Sequence, residues 1–176
     1  MLLRKINAGI SMMITLLLLE HAVSMGAWML SRGEIAPFAS KLPRLLFAFM
    51  MVHAIISIVL AVLGHKGAEK RKCNNYSKMN VPTYIQRASG MLMIVFSVLH
   101  VLGATGVMQP PLVVHAIVPP LFFALSLTHA MISASKALIT LGIGNARIIK
   151  VTDIAMRLIC GAILIADVIG FYLYRL

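Results

Sequence analysis

The amino-acid sequence predicts an all-α polytopic membrane protein with five transmembrane helices. The chain of 176 residues is 60% hydrophobic and only 12% charged, with a mean hydropathy of +0.94. Soluble domains carry about 25% charged residues. Five apolar segments each reach the roughly 20 residues that a helix needs to cross a hydrocarbon core about 30 Å thick. Disordered chains and soluble cytosolic enzymes are therefore excluded.

Prolines and charges mark the ends of the expected helices. The first helix follows Arg4 and Lys5; it is too long for the apolar region of a signal peptide, and no convincing cleavage site follows it. Prolines precede the next three helices, at Pro43, Pro82 and Pro111, and the fifth begins beyond a basic connection. The expected ranges are 6–30, 45–65, 84–108, 112–138 and 153–174.

The basic residues predict the orientation of the helices. Of 16 lysines and arginines, twelve precede helix 1 or border the connections between helices 2 and 3 and between helices 4 and 5. Because cytoplasmic loops carry the excess of basic residues, the N-terminus is expected in the cytoplasm and the C-terminus outside. The net charge of +11 thus mainly reflects topology, and no nucleic-acid partner is expected. A secondary interpretation is a cytoplasmic docking surface for a partner or anionic lipid.

The six histidines are the most informative polar residues. All lie in or at the ends of the first four helices, and the connecting loops contain none. Polar side chains at this depth are costly and face the bundle interior, either to hydrogen-bond a neighbouring helix or to serve a site. Six histidines in four helices favour metal ligation. The two cysteines, Cys73 and Cys160, form no CxxC or CxxCH motif, so neither a zinc site nor covalent haem attachment is indicated.

Depth along the helices groups four of these histidines in two pairs. A rise of 1.5 Å per residue puts His21 roughly 21 Å and His100 roughly 24 Å above the inner side. His65 ends helix 2 at the inner boundary, and His129 lies roughly 26 Å below the outer end of helix 4. Each pair joins two helices at similar depth, as bis-histidine ligation of a haem iron requires. The sequence therefore predicts an outer pair, His21 with His100, and an inner pair, His65 with His129.

Two further histidines leave the outer pair open. His53 and His115 both fall in the outer half, so either can replace a member of that pair. Pro119 and Pro120 separate His115 from His129 and are expected to disturb the helical phase between them. For His115 we favour a role at a quinone site or haem edge, and an interfacial histidine without a role is the alternative.

A short motif on the third helix carries a resemblance to a known family. The stretch Gln86-Arg87-Ala88-Ser89-Gly90, followed ten residues later by His100, resembles a signature of the membrane cytochrome b subunits of succinate dehydrogenase and fumarate reductase. The single-chain, two-haem members have five transmembrane helices, with four haem histidines on the first four. The resemblance makes residues 1–176 one transmembrane cytochrome b domain. It implies outer haem ligands His21 and His100 and inner haem ligands His65 and His129.

The resemblance also implies a role and partners. The chain would be the membrane anchor and electron-transfer subunit of a quinone oxidoreductase in a bacterial cytoplasmic membrane, with two haems b and menaquinone or another quinone. A flavoprotein subunit containing FAD and an iron–sulfur subunit would bind on the cytoplasmic side, against the basic loops, and the complex could dimerise. Gly90 would let a porphyrin or a neighbouring helix approach closely. The dicarboxylate chemistry would belong to a partner subunit.

Three acidic residues are candidates for quinone and proton chemistry. Glu20 and Asp167 lie within apolar segments, in the outer half, and Glu34 lies in an outer loop. Quinone reduction moves protons together with electrons, so carboxylates near the outer haem could relay them. Because neighbours on a helix point about 100° apart, Glu20 and His21 are not expected to face the same haem. Asp167 could instead hydrogen-bond a histidine, and Glu34 could be a solvated loop residue.

The sequence is also compatible with other functions. One is a b-type cytochrome with a single haem, or one that serves a hydrogenase or formate dehydrogenase. Another is a haem-free anchor or small transporter whose histidines hydrogen-bond between helices or bind a transition metal. The sequence contains no GxSxG or HExxH motif, so an intramembrane hydrolase lacks support.

Overall fold

A computed structural model contains five long helices, as the sequence predicts. It describes residues 2–31, 33, 42–70, 81–108, 112–143 and 145–175, and the side chains of all these except 64–70, 81–82, 112–116 and 174–175. No strand occurs among the described residues. All five helices are long and apolar enough to cross a membrane. Their bounds are α1 Leu2–Leu30, α2 Leu42–Lys70, α3 Val81–Ala104, α4 Leu112–Leu141 and α5 Ala146–Arg175.

Local capping explains where two helix ends differ from the expected ranges. The side chain of Asn145 accepts a hydrogen bond of 2.9 Å from the backbone N–H of Ile148, as an N-cap does. This cap starts α5 seven residues before the predicted position 153. Gly106 adopts a φ of +73°, and the N–H of Met108 donates back to the carbonyl of Leu102 over 3.2 Å. Glycine tolerates this left-handed conformation, so α3 ends at Ala104.

Helix α4 is continuous through its paired prolines. Pro119 and Pro120 lie inside Leu112–Leu141, and the helix extends on both sides of them. A proline has no backbone N–H to donate to the preceding turn. The pair therefore removes two hydrogen bonds without ending the helix, as the packing of transmembrane helices allows.

The best-packed region of the described protein lies between α1, α4 and α5. Helix α1 packs against α2, α4 and α5, and α4 packs against α1, α3 and α5, while α2 and α3 make the least extensive contact. Small residues such as Ala22 and Ala134 are almost fully buried and let the helix backbones approach closely. The cluster consists of Ile14, Leu18, Ala22, Leu46, Leu127, Ala130, Ala134, Met156, Cys160 and Ile163.

Helix α5 is a full member of this packing, although it contains no histidine. It contributes Met156, Cys160 and Ile163 to the central cluster. Asp153 at its start also accepts a hydrogen bond from Ser135 of α4. Each of the helices α1 to α4 contacts its neighbour in chain order, α1 also contacts α4, and α5 packs against that α1–α4 pair. A four-helix haem-binding bundle with a cytoplasmic N-terminus stays a prediction.

Candidate functional site

Four histidines on four different helices are half-buried and carry the candidate site. They are His21 on α1, His53 on α2, His100 on α3 and His129 on α4. His65 and His115 lie on α2 and α4, but their side chains are outside the described part of the structure.

The structure brings together the histidines of the predicted outer pair. The imidazoles of His21 and His100 are close enough to interact electrostatically, although their helices are separated by α2 in the sequence. His100 also packs on Phe122 of α4, with ring centroids 5.3 Å apart and planes inclined by 33°. This aromatic contact limits the rotation of the His100 ring. The two imidazoles are thus within electrostatic range of each other.

The surroundings of His129 include a histidine that the sequence associates with the outer pair. The ring of His53 interacts electrostatically with that of His129, whereas the sequence associates His53 with the outer pair. His53 also interacts with the backbone of Asn7, near the start of α1, and its Nδ1 is buried without a hydrogen-bond partner among the described residues. The position of the His65 ring relative to His129 lies outside the described side chains. The described neighbours are thus His21 with His100 and His53 with His129.

Asn7 and Ser57 form a polar contact between α1 and α2 beside His53. The Asn7 Nδ2 donates to the Ser57 Oγ over 3.2 Å, which joins the two helices one turn from His53. The Oδ1 of Asn7 is buried and, within the described chain, has no partner. Both Asn7 Oδ1 and His53 Nδ1 thus have unused hydrogen-bonding capacity in this part of the interior.

The hydroxyl of Ser89 contacts both the His129 ring and the backbone carbonyl of Gln86. Ser89 Oγ donates to the carbonyl of Gln86 over 3.1 Å and lies 3.1 Å from Nδ1 of His129. A carbonyl can only accept, and a hydroxyl has a single hydrogen to donate. The arrangement that satisfies both contacts therefore has Ser89 accepting from a protonated Nδ1. Nε2 of His129 then carries the free lone pair that a metal requires.

Gly90 provides the space that the His129 ring occupies. A Cβ at position 90 would lie 3.0 Å from Cε1 and 3.4 Å from Nδ1 of that ring. The sequence predicts that Gly90 admits a porphyrin or a neighbouring helix, and the group in contact is a side chain of α4. The motif Gln86–Gly90 therefore contacts His129 across the helix interface.

A chain of hydrogen bonds extends from the His129 region towards the start of α3. Lys136 Nζ donates to Gln86 Oε1 over 2.6 Å and to Thr83 Oγ1 over 3.1 Å, and Gln86 Nε2 donates to Ser133 Oγ over 2.9 Å. Lys136, Ser133 and Asn7 are polar residues of the site that sequence reasoning does not single out. The available signal is their polarity inside apolar segments, because polar groups at such depth need partners.

Two of the three candidate carboxylates lie along the groove between α1 and α5. Asp167 is 1% exposed, and neither of its oxygens has a hydrogen-bond partner among the described residues. It lines a cavity of about 240 Å³ that adjoins a second cavity of about 400 Å³ lined by Glu20. Glu20 thus lies on the α5 side of α1, while His21 neighbours α3. Glu34 lies outside the described residues.

The described histidine side chains of the candidate site occur in pairs. Among the described residues, no group of three or more histidine, cysteine, aspartate or glutamate side chains could hold a metal ion. A bare ion such as zinc needs at least three protein ligands. A haem iron has four ligands from the porphyrin and takes only two from the protein, as in bis-histidine cytochromes. A pair of imidazoles matches the number of protein ligands that a bis-histidine haem takes.

Comparison with known proteins adds no information about the function of this chain. No protein-family model, no curated protein and no solved structure matches this chain. The functional conclusion therefore rests on the sequence and on the geometry of the paired histidines.

Proposed function

We propose that the chain is the membrane cytochrome b subunit of a quinone oxidoreductase of the succinate dehydrogenase and fumarate reductase type. In this proposal, His21 and His100 ligate one haem b, and His53 and His129 ligate a second. His65 is the alternative partner of His129, as the family resemblance suggests. The observation that supports the proposal is that half-buried histidines on four helices come within electrostatic range of one another in two pairs.

The residues of the His129 site fit a haem in their chemistry. The hydrogen bond with Ser89 leaves Nε2 of His129 as the unprotonated nitrogen. His53 has a buried ring nitrogen with no partner in the described structure. Lys136 has three donor hydrogens and uses two of them for Gln86 and Thr83, so one is left for an anionic group such as a haem propionate.

A bound haem supplies one-electron transfer across part of the membrane. The chain's own contribution is to hold and orient the ligands. Phe122 packs on the His100 ring, and Ser89 holds Nδ1 of His129 in a hydrogen bond. Oriented ligands of this kind control both the affinity for the metal and its redox potential.

The chain needs partners for the rest of the proposed reaction. Its sequence has no GxGxxG fingerprint and no cysteine cluster, so a flavin and iron–sulfur centres must belong to other subunits. We assign these to a flavoprotein and an iron–sulfur subunit on the cytoplasmic face of a bacterial membrane. The excess of basic residues on the expected cytoplasmic side would complement an acidic partner surface.

A redox difference spectrum of the purified full-length chain tests the proposal. The chain is expressed in haem-replete cells, extracted in mild detergent and reduced with dithionite, and its haem is counted by pyridine haemochrome. We expect a reducible b-type spectrum and two haems per chain. A colourless preparation, from cells that load a control cytochrome b fully, would contradict the proposal. It would favour the haem-free anchor, in which the histidines only hydrogen-bond between helices.

A further inference from the structure

Helix α5 carries an exposed arginine inside its membrane-spanning segment. Arg157 lies roughly 16 Å along the helix from its start at Ala146, within the apolar segment Ala146–Leu173, and its side chain is exposed. Among the described residues, it has no hydrogen-bond or ion-pair partner. A guanidinium keeps its charge in proteins, and a charge that faces hydrocarbon without an anionic partner is costly. The described chain thus leaves Arg157 in need of an anion.

Lys150 adds a second cation on the same face of α5. It precedes Arg157 by seven positions, which is close to two helical turns, and it is also exposed. Asp153 lies one turn from both cations, but its carboxylate accepts a hydrogen bond from Ser135 of α4. No ion pair joins Asp153 to either cation within the described chain. Both positive charges are therefore available to a ligand.

The same side of α5 is apolar between and beyond the two cations. Ile154 is 50%, Leu158 68% and Ile165 63% exposed. A Cβ at Gly161 would meet no atom within 4 Å in the part of the chain that the structure describes. Along this side of α5, the surface thus changes from basic near the helix start to aliphatic further along. A ligand that covers it needs an anionic end and an apolar end.

An anionic phospholipid has these groups in the same order along the membrane normal. Lysine and arginine side chains extend along a helix to reach the phosphates at the membrane boundary. The two cations start roughly 10 Å apart along α5, a distance that two long side chains can bridge to one phosphate. A water-soluble acidic protein would match the charges but not the aliphatic surface beside them. A zwitterionic lipid would bring its own ammonium group towards the two cations.

We propose that Lys150 and Arg157 form a binding site for the phosphate of an anionic phospholipid, whose acyl chains cover Leu158 and Ile165. This inference goes beyond the proposed function and does not depend on the haems. Arg157 supplies the deeper contact, and Lys150 supplies the contact nearer the start of α5. The bound phosphate neutralises charges that the described chain leaves unpaired.

Native mass spectrometry of the full-length chain, released from detergent micelles, measures this binding directly. The chain is titrated with phosphatidylglycerol and, separately, with phosphatidylcholine, both with palmitoyl and oleoyl chains. We expect one phosphatidylglycerol to bind with an affinity about tenfold or more above that of phosphatidylcholine, because only its headgroup is anionic. Glycerol phosphate, which has no acyl chains, should not displace it.

Paired charge substitutions separate this site from a general effect of positive charge. Lys150→Gln combined with Arg157→Gln should remove the preference for phosphatidylglycerol. Arg4→Gln combined with Lys5→Gln removes the same charge from exposed positions of α1 and should keep the preference. Arg157→Lys retains the charge and should keep most of it. Thermal unfolding in detergent checks that each variant is folded.

Two results would overturn the site. One is equal affinity for the two lipids in the wild type, which would leave Arg157 to a carboxylate on a transmembrane helix of a partner protein. The other is an unchanged preference in the folded double variant of α5. Haem content, counted on the same samples, keeps the two proposals separate. A haem-free chain with the predicted lipid preference would support the lipid site and reject the cytochrome, and a haem-loaded chain without the preference would do the opposite.

Discussion

The imidazole of His129 shows how one hydroxyl group can prepare a histidine for metal binding. Ser89 is buried on α3 and contacts both the Gln86 carbonyl and the His129 ring. In the arrangement that satisfies both contacts, it donates to Gln86 and accepts from His129. The protonated nitrogen faces the protein, and the other nitrogen is left with a lone pair. A hydrogen bond at the second nitrogen is the usual support of a histidine ligand. Ser89 is therefore a positioning residue for the proposed haem.

Replacing Ser89 by alanine should weaken the binding of the haem proposed at His129 and change its midpoint potential, without unfolding the protein. Loss of such a supporting hydrogen bond typically costs 10- to 100-fold in metal affinity, so we expect haem affinity to fall by about that factor at one site. Ser97→Ala is the matched control, because Ser97 is also buried on α3 but donates to Met93 of its own helix over 2.5 Å. Haem titration and the midpoint potential of each haem measure the effect. Equal behaviour of the two variants would refute the role of Ser89.

A methyl group at Gly90 should displace the His129 ring. The new Cβ would approach Cε1 of that ring to 3.0 Å, and His129 would have to move out of its hydrogen bond with Ser89. We expect Gly90→Ala to lose most of one haem per chain. Gly103→Ala serves as the control on the same helix, since a Cβ at that position would have no neighbouring atom within 4 Å among the described residues. If Gly90→Ala binds as much haem as Gly103→Ala, the ring does not depend on this space.

At the scale of helices, the close approach of α1 and α5 depends on small residues. A Cβ at Gly170 would come within 3.2 Å of both Met29 and Leu30 of α1. At Gly161, on the same helix, a Cβ would meet nothing within 4 Å in the described part of the chain. The two glycines therefore separate the effect of packing from the effect of helix propensity, which favours alanine by about 1 kcal/mol in a helix interior.

The two alanine substitutions on α5 should therefore have different effects on the free energy of unfolding. Gly161→Ala is expected to leave stability unchanged or raise it by up to about 1 kcal/mol. Gly170→Ala should lower the free energy of unfolding by about 1–3 kcal/mol, since overpacking costs that much in a well-packed interface. Thermal unfolding in detergent, followed by circular dichroism, measures both. A Gly170→Ala protein that is as stable as Gly161→Ala would show that α1 and α5 do not pack as described.

The existence of the helices is predictable from the sequence, but their neighbours are not. An apolar segment long enough to cross the membrane is a property of local composition, and the structure contains all five. Contacts between helices depend on rotation and vertical offset, which hydropathy does not encode. Sequence reasoning associates the motif at Gln86–Gly90 with His100, ten residues along the same helix and thus about 15 Å away. In the structure, its polar groups contact His129, on the facing helix.

The partner of His129 illustrates the same limit, because it depends on the vertical offset between helices. Depth counted along each helix pairs His129 with His65, because such counting assumes that every helix starts at the same level. In the structure, His53 lies within electrostatic range of His129 and interacts with the backbone of Asn7, while the His65 ring lies outside the described side chains. For His21 and His100, both helices are expected to run in the same direction. An error in the assumed starting depth then affects both residues alike, so their relative depth is easier to predict.

At the scale of the whole molecule, the half-buried histidines and the carboxylates of Glu20 and Asp167 lie on different sides of α1. The paired histidines lie among α1 to α4, and the carboxylate groove lies between α1 and α5. Helix α1 is common to both, since His21 and Glu20 point to different neighbours. In the proposed complex, electrons would pass through the interior towards partners at the basic face.

The haem content of single-histidine variants tests the central claim most directly. His21→Ala, His53→Ala, His100→Ala and His129→Ala are each purified as the full-length chain, and haem per chain is counted by pyridine haemochrome beside His65→Ala and His115→Ala. We expect each of the first four to lose one haem and keep the other, and the last two to keep both. Full haem content in His53→Ala together with loss in His65→Ala would contradict the proposed pair of His53 and His129. Full haem content in all six would contradict both pairs.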